Sequence, residues 1–151
     1  SKHFRWRVHW TAASLGAILR RTIPAELHAS ARDVGRRVDV RVLGSSLDGR
    51  AQGVEIVTDR ETFTVQGDRI RWVLKPDAAS PAILKSTLFN IETSPAVDRV
   101  AAIDMLGGGN GHGVGMCQMG AIGRARAGQN YKQILKAYFS GAQISRISVQ
   151  R

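Results

Sequence analysis

The stretch Gly107-Gly108-Gly109-Asn110-Gly111-His112-Gly113-Val114-Gly115-Met116-Cys117-Gln118-Met119-Gly120-Ala121 holds the residues best placed for chemistry, with seven glycines in fifteen positions around one histidine. Glycine admits positive φ and close approach of a ligand or a neighbouring backbone, yet costs about 0.5–1 kcal/mol relative to alanine inside a regular element. So dense a run predicts a tightly folded loop whose geometry is set by Gly109, Gly111, Gly113 and Gly115. The alternation invites a nucleotide-binding reading, in which backbone N–H groups cradle phosphate. That reading fails on its partners. No Gly-Lys-Ser/Thr completes a Walker loop, the G-x-G-x-x-G spacing is not met, and no acidic residue lies about 20 positions downstream to hold a ribose.

His112 can offer one ring nitrogen to a ligand while backbone fixes the other, or it can pack over the loop and hydrogen-bond a carbonyl to keep the glycines folded. Both readings stand at this level. Cys117 has no charged neighbour in sequence to lower its pKa and reads as an inert small residue. His112 and Cys117 supply at most two metal ligands, and His3, His9 and His28 add no suitable spacing, so no metal and no cofactor is expected. The four glutamates, Glu26, Glu55, Glu61 and Glu92, are scattered, and none announces a general acid.

The elements that must position this loop read as an α+β chain. Phe4, Trp6, Val8 and Trp10 alternate with Arg5, Arg7 and His9, the period of a strand with one buried face. Thr11 then caps a helix carrying Leu15, Ile18 and Leu19, expected to end before Pro24. Val38, Val40 and Val42 predict a strand that turns at Ser46-Leu47-Asp48-Gly49. Val54 to Val57 and Thr62 to Val65 predict a hairpin around Asp59-Arg60. Together these form a small antiparallel meander. Gly67-Asp68 opens a short helix with Ile70, Val73 and Leu74 inward, stopped by Pro76. Strands at Leu88 to Ile91 and Val97 to Ile103 follow, the second leading into the glycine-rich loop. A helix over Gln118 to Ala127 comes next, where Gly120 and Gly123 predict close packing against a neighbour. Asn130 and Gln133 form a capping box for a last helix that carries Ile134, Leu135 and Tyr138 and closes near Gly141. A strand around Ile144 to Val149 ends the pattern. The expected fold is a small antiparallel or barrel-like sheet with three to four short helices and the glycine-rich loop between a strand and a helix.

The 151 residues suit one domain, with 43% hydrophobic and 23% charged residues. No apolar run approaches a membrane span, and Ser1 to Arg7 does not resemble a secretory signal, so the signal of an exported protein would have to precede this chain. Lys and Arg number 22 against 12 Asp and Glu, a formal net charge of +10. That excess attracts nucleic acid, anionic lipid or acidic wall polymer, or else provides a soluble basic face. Arginines are spread along the chain from Arg5 to Arg151 without a basic arm, so nucleic acid is not expected as a partner. The lone Cys117 excludes an internal disulfide.

The run from Gly109 to Ala121 resembles the signature of the SpoIID/LytB domain, usually G-x-G-H-G-V-G-M-S-Q-x-G-A. The flanks are similar too: Gly123 and Ala125, then Ala127-Gly128-Gln129-Asn130-Tyr131, Ile134-Leu135 and Tyr138-Phe139-Ser140-Gly141. Upstream, Arg5-Trp6 with Val8, the segment Gly67-Asp68 to Leu74 with Arg71, and Leu84-Lys85-Ser86-Thr87-Leu88-Phe89 fall where the family has similar segments. The resemblance implies a single SpoIID/LytB-like domain over residues 1–151 that forms one wall of the glycan groove of a peptidoglycan lytic transglycosylase. Family members cleave glycan strands to anhydro-muramyl ends, and some are described as amidase enhancers. It further implies an extracytoplasmic location, glycan strands and a cell-wall amidase as partners, and His112, Gln118 and Arg71 as sugar-contacting residues. Such cleavage needs one carboxylic acid that serves first as acid and then as base. In the family that glutamate lies near an N-terminal run like A-L-K-A-Q-A-V-A-A-R-T, which has no counterpart here, so the catalytic residue is unknown. The alternative is a non-catalytic peptidoglycan-binding or amidase-enhancing module. Cys117 stands where the family usually has Ser, Met119 where Trp is frequent and Ser140 where Pro is usual. The thiol weakens any polar role at position 117.

Overall fold

The computed structural model describes residues 4–28, 34, 38–96 and 99–145, in two compact units, Ser1–His112 and Gly113–Arg151. The first unit opens with β1 (Arg5–Thr11), whose alternation buries Trp6 and Trp10 and leaves Arg5, Arg7 and His9 exposed. Helix α1 (Ala12–Leu27) begins at Thr11, whose hydroxyl oxygen accepts from the Ser14 N–H at 3.1 Å. Its stripe of Leu15, Ile18, Leu19 and Ile23 is almost wholly buried, each such side chain being worth about 1.5–3 kcal/mol relative to exposure. The helix does not stop before Pro24 but passes through it and closes on His28 in the left-handed conformation, φ 53°. A proline costs about 3 kcal/mol in a helix interior. Here tertiary packing outweighs it, because Ile23 is fully buried and the Thr22 hydroxyl donates to the Val73 carbonyl at 2.9 Å.

Strands β2 (Val38–Ser45), β3 (Ala51–Thr58) and β4 (Thr62–Gln66) form the expected antiparallel meander, in that spatial order. Val38, Val40, Val54, Ile56, Phe63 and Val65 face the core. Val42, expected inward, pairs in register with buried Val54 but is 39% exposed, on an edge strand whose register shifts just beyond it, between Val42 and Gly44. Helix α2 (Arg69–Val73) buries Ile70 and Val73, and the Lys75 carbonyl just beyond it accepts the Trp10 indole N–H at 3.0 Å. Strands β5 (Phe89–Ala96) and β6 (Arg99–Gly108) complete a second antiparallel sheet ordered β1-β6-β5. One core joins the inner faces of both sheets to α1 and α2. The fold is thus α+β with two small antiparallel sheets, and the glycine-rich loop leaves the central strand β6 of one of them.

In the second unit, α3 (Gln118–Arg126) and α4 (Tyr131–Tyr138) form a helix pair. Both halves of the Asn130/Gln133 capping box are made, at 2.9 and 3.1 Å. Ile134 is buried, and Leu135 and Tyr138 are half-buried beside it. Gly120 bears out the expected close packing, since a Cβ there would overlap the Tyr138 hydroxyl, whereas Gly123 has open space around it. The strand expected around Ile144 to Val149 lies outside the described residues from position 146 onward.

Candidate functional site

The glycine-rich loop is held by backbone from three directions. As β6 ends, the Gly108 N–H donates to the Leu88 carbonyl at 2.9 Å and the Ser86 hydroxyl donates to the Gly108 carbonyl at 2.6 Å. The Gly109 N–H then reaches the Phe4 carbonyl at 3.3 Å, and the Gly111 N–H reaches Lys85 at 2.7 Å. Gly109, Gly111 and Gly113 have φ of 74°, 115° and 70°, where side chains other than glycine are strained. A Cβ at Gly109 or Gly111 would meet nothing within 4 Å, so backbone conformation alone demands glycine there. Gly115 differs: its φ is not positive, and a Cβ would touch Phe139 at 3.4 Å. Arg50 braces the loop from the β2–β3 turn, its Nε on Asp48 Oδ2 at 2.9 Å and its Nη1 on the Gly111 carbonyl at 3.4 Å. The Ser46 hydroxyl, and then Arg50, hold the Asp48 carboxyl below the usual carboxylate range.

His112 is exposed and ends the first unit, while Gln118 is exposed at the first position of α3 in the second. Arg71 is placed differently from both. It is 9% exposed, with Nε donating to the Leu84 carbonyl at 2.7 Å and Nη1 to Asp68 Oδ1 at 2.9 Å. The Leu84 N–H returns a bond to the Arg71 carbonyl at 3.1 Å. Arg71 therefore clamps the 84–88 segment, the same segment whose Lys85, Ser86 and Leu88 anchor the loop.

Cys117 caps α3: its Sγ accepts from the Gly120 N–H at 3.4 Å. Sulfur is a weak acceptor, whereas Ser is among the best N-caps. Cys117→Ser is expected to stabilise the helix pair by about 0.5–1 kcal/mol, read as a higher urea midpoint for the helical signal. An unchanged or lower midpoint would show that the cap contributes nothing.

On the exposed face of the β1-β6-β5 sheet, His9 and Asp104 are directly opposed, and Glu92 faces Asp104 from β5. Asp104 Oδ1 accepts from His9 Nδ1 at 3.1 Å and from Arg7 Nη2 at 2.9 Å. The His9 bond and then the Arg7 guanidinium hold the Asp104 carboxyl below its ordinary range. A depressed folded pKa stabilises above the unfolded value, about 3.9, and the contribution vanishes as pH falls through the lower folded value. Asp104→Asn is thus expected to lower Tm at neutral pH, with the gap from wild type closing below about pH 4. A gap that persists into strong acid would rule out the charge pairing. No group of three metal-ligating side chains is found among the described residues.

Two adjoining clefts flank this sheet, sharing Gly49, Phe89 and Asn90. One, of about 680 Å³, is lined by Arg5, Trp6, Arg7, Leu88, Leu106, Gly107 and Gly108 besides those three. The other, of about 670 Å³, runs between β2 and β5 past Asp39, Arg41 and Glu92. Both are of ordinary ligand-site size. Sequence reasoning found the loop but missed Arg50, Asn90 and Asp104. The alternation of β1 places Arg5, Arg7 and His9 on one polar face, but nothing local says which residues of β5 and β6, some 80–100 positions on, lie beside them.

The loop and the two sheets define a class: a small α+β protein whose glycine-shaped loop leaves a central strand above ligand-sized clefts. The chain belongs to the family described as Domain of unknown function (DUF8618), which matches residues 1–115, from before β1 into the glycine-rich loop. An uncharacterized protein of Brachyspira hyodysenteriae is 46% identical over 65 residues, covering 43% of this chain and 16% of that protein. The amidase enhancer of Bacillus subtilis is 30% identical over 105 residues, covering 54% of this chain and 15% of that protein. The chain spans about a sixth of the length of the curated relatives it matches. Among the described residues no helix is long and apolar enough to cross a membrane.

Proposed function

We propose that residues 1–151 act as one SpoIID/LytB-like domain of a bacterial cell-wall protein and form the glycan-binding wall of a peptidoglycan lytic transglycosylase. The observation that carries this reading is the glycine-rich loop: its signature glycines Gly109, Gly111 and Gly113 sit at positive φ, the first two with backbone anchors, beside an exposed His112. Likeness to an amidase enhancer supports the cell-wall setting and an extracytoplasmic location. His112 and Gln118 contact sugar, and Arg71 supports the loop from beneath. Peptidoglycan glycan strands are the ligand, with a cell-wall amidase as a second partner.

A second reading, a non-catalytic wall-binding or amidase-enhancing module, is favoured by the glutamates. A general acid needs an apolar site to stay protonated, and none of Glu26, Glu55, Glu61 and Glu92 is buried. The two readings part in digestion of purified sacculi by the intact protein. Anhydro-muramyl products support the enzyme, and binding without them supports the module. If retention on sacculi is lost as salt rises, charge dominates. His112→Ala is expected to weaken retention at all salt concentrations. Full retention with a lowered Tm would reassign His112 to holding the loop.

A further inference from the structure

We propose that the cleft between β2 and β5 receives an extended peptide of a partner protein, alternating apolar and basic residues, which adds itself as a strand along the open edge of β5. The site is separate from the glycine-rich loop and does not depend on the glycan reading.

In an antiparallel ladder the N–H and C=O of one residue point the same way, and successive residues alternate between the partner strand and the outside. The Gly108 N–H donates to the Leu88 carbonyl, so the backbone of Leu88 faces β6, and that of Asn90 and Glu92 does so after it. Phe89, Ile91 and Thr93 therefore turn their polar groups away from β6, and β5 is the edge of its sheet. None of these groups has a backbone partner among the described residues. β2 is an edge of the other sheet, and two bonds fix which of its residues face out. The Thr58 N–H goes to the Glu61 carbonyl on the β4 side, so its cross-strand neighbour Val38 faces away from β3, and the Val40 N–H goes to its neighbour Asp39 Oδ1 at 2.9 Å. Val40 and Val42 of this outward row border the same cleft, of about 670 Å³, as Phe89, Ile91 and Thr93.

The two edges are not equivalent. Proteins blunt strand edges with charges, prolines and bulges. On β2, Asp39 occupies the Val40 donor and the register shifts just beyond Val42. On β5 the register shift and Pro95 come only after Ser94, which leaves Phe89 to Thr93 open. An incoming strand thus pairs with β5 and lies beside β2, drawing affinity from main-chain bonds and specificity from alternate side chains.

Those side chains define the peptide. Its inner face meets partly exposed Val42 and half-buried Ile91, apolar groups that the fold leaves uncovered. Its outer face meets Asp39 and Glu92, and Glu92 has no cationic partner among the described residues. Two carboxylates against the single Arg41 make this a net acidic cleft on a protein of net charge +10, the complement of a basic side chain.

The test is NMR and amide exchange on the ¹⁵N-labelled chain, with a blocked heptapeptide of alternating valine and lysine as the probe. The peptide is expected to move the Ile91 and Thr93 amide resonances to saturation and to slow their exchange about tenfold, while exchange at Asn90 and Glu92, already bonded to β6, stays as it was. The same peptide N-methylated at every residue keeps the side chains but cannot pair, and is expected not to bind. Thr93→Pro removes one outward donor without touching the β6 ladder and is expected to weaken binding about tenfold. Glu92→Gln is expected to weaken it about threefold, a difference that vanishes at high salt. Unmoved Ile91 and Thr93 resonances, equal binding by the N-methylated peptide or by one with glutamate for lysine, or an unchanged titration in Thr93→Pro overturns the proposal. Protection of Ile91 that grows with protein concentration in the absence of peptide would make a second copy of the chain the occupant, and overturns it too.

Discussion

Gly107→Ala is expected to destabilise the first unit by about 3 kcal/mol, the upper end of the cost of overpacking a core. Gly107 is buried on the central strand β6, opposite Trp6 of β1, and the indole lies directly over it. A Cβ at this position would overlap Cζ2, Cε2 and Cη2 of that ring. Trp6 is buried and packs edge-on against Phe89 with ring centroids 6.4 Å apart, so displacing the indole would break core packing. The φ of Gly107 is not positive, so the demand for glycine is steric rather than conformational. Urea denaturation followed by the amide far-UV signal gives the magnitude. A double-mutant cycle identifies the cause, because in a Trp6→Leu background the same alanine is expected to cost less than about 1 kcal/mol. Equal costs in the two backgrounds would show that the indole is not what excludes the methyl group.

Arg71→Met is expected to cost about 2–3 kcal/mol and to loosen the glycine-rich loop at Gly111, 40 residues further along the chain. Most of the loss comes from the Leu84 carbonyl, which would keep its buried place without its charged donor, a change worth about 1.5–3 kcal/mol. The ion pair with Asp68 adds little, since the Asp68 side chain is 36% exposed and solvent screens it. With the 84–88 segment released, the Lys85 carbonyl no longer holds the Gly111 N–H firmly. Amide exchange at Gly111 should therefore speed up together with that at Leu84, whose N–H bonds to Arg71. Arg71→Lys recovers only part of the loss, because an ammonium cannot reproduce the planar fork that serves a carbonyl and a carboxylate at once. Unaltered exchange at Gly111 in Arg71→Met would disconnect the clamp from the loop.

Most elements were legible because their signals are local. Trp6 and Trp10 mark a strand by alternation, Thr11 and Asn130 cap their helices through side-chain bonds three residues away, and Asp59-Arg60 turns a hairpin. The exceptions fall where distant packing overrides local preference. Pro24 should end α1, but Ile23 and Thr22 belong to a buried face whose partner, Val73, comes from α2. Val42 keeps the inward period of β2 opposite buried Val54, yet is partly exposed because β2 is an edge strand. Arg71 sits on a short helix, and the Leu84 carbonyl that draws it inward is thirteen residues further on.

The sequence by itself determined the element types and the demand for glycine at Gly109, Gly111 and Gly113, because periodicity, capping and positive φ depend on neighbours within one turn of chain. It placed Gly107 in the glycine-rich run without singling it out or showing what excludes a side chain there. Only the tertiary structure decided that. An indole one hundred residues earlier lies over Gly107, and Arg71 supports the loop from inside. Each of these depends on strand order and register, which bring Arg5 and Trp6 against Gly107 and Gly108, and no local pattern in the chain encodes that juxtaposition.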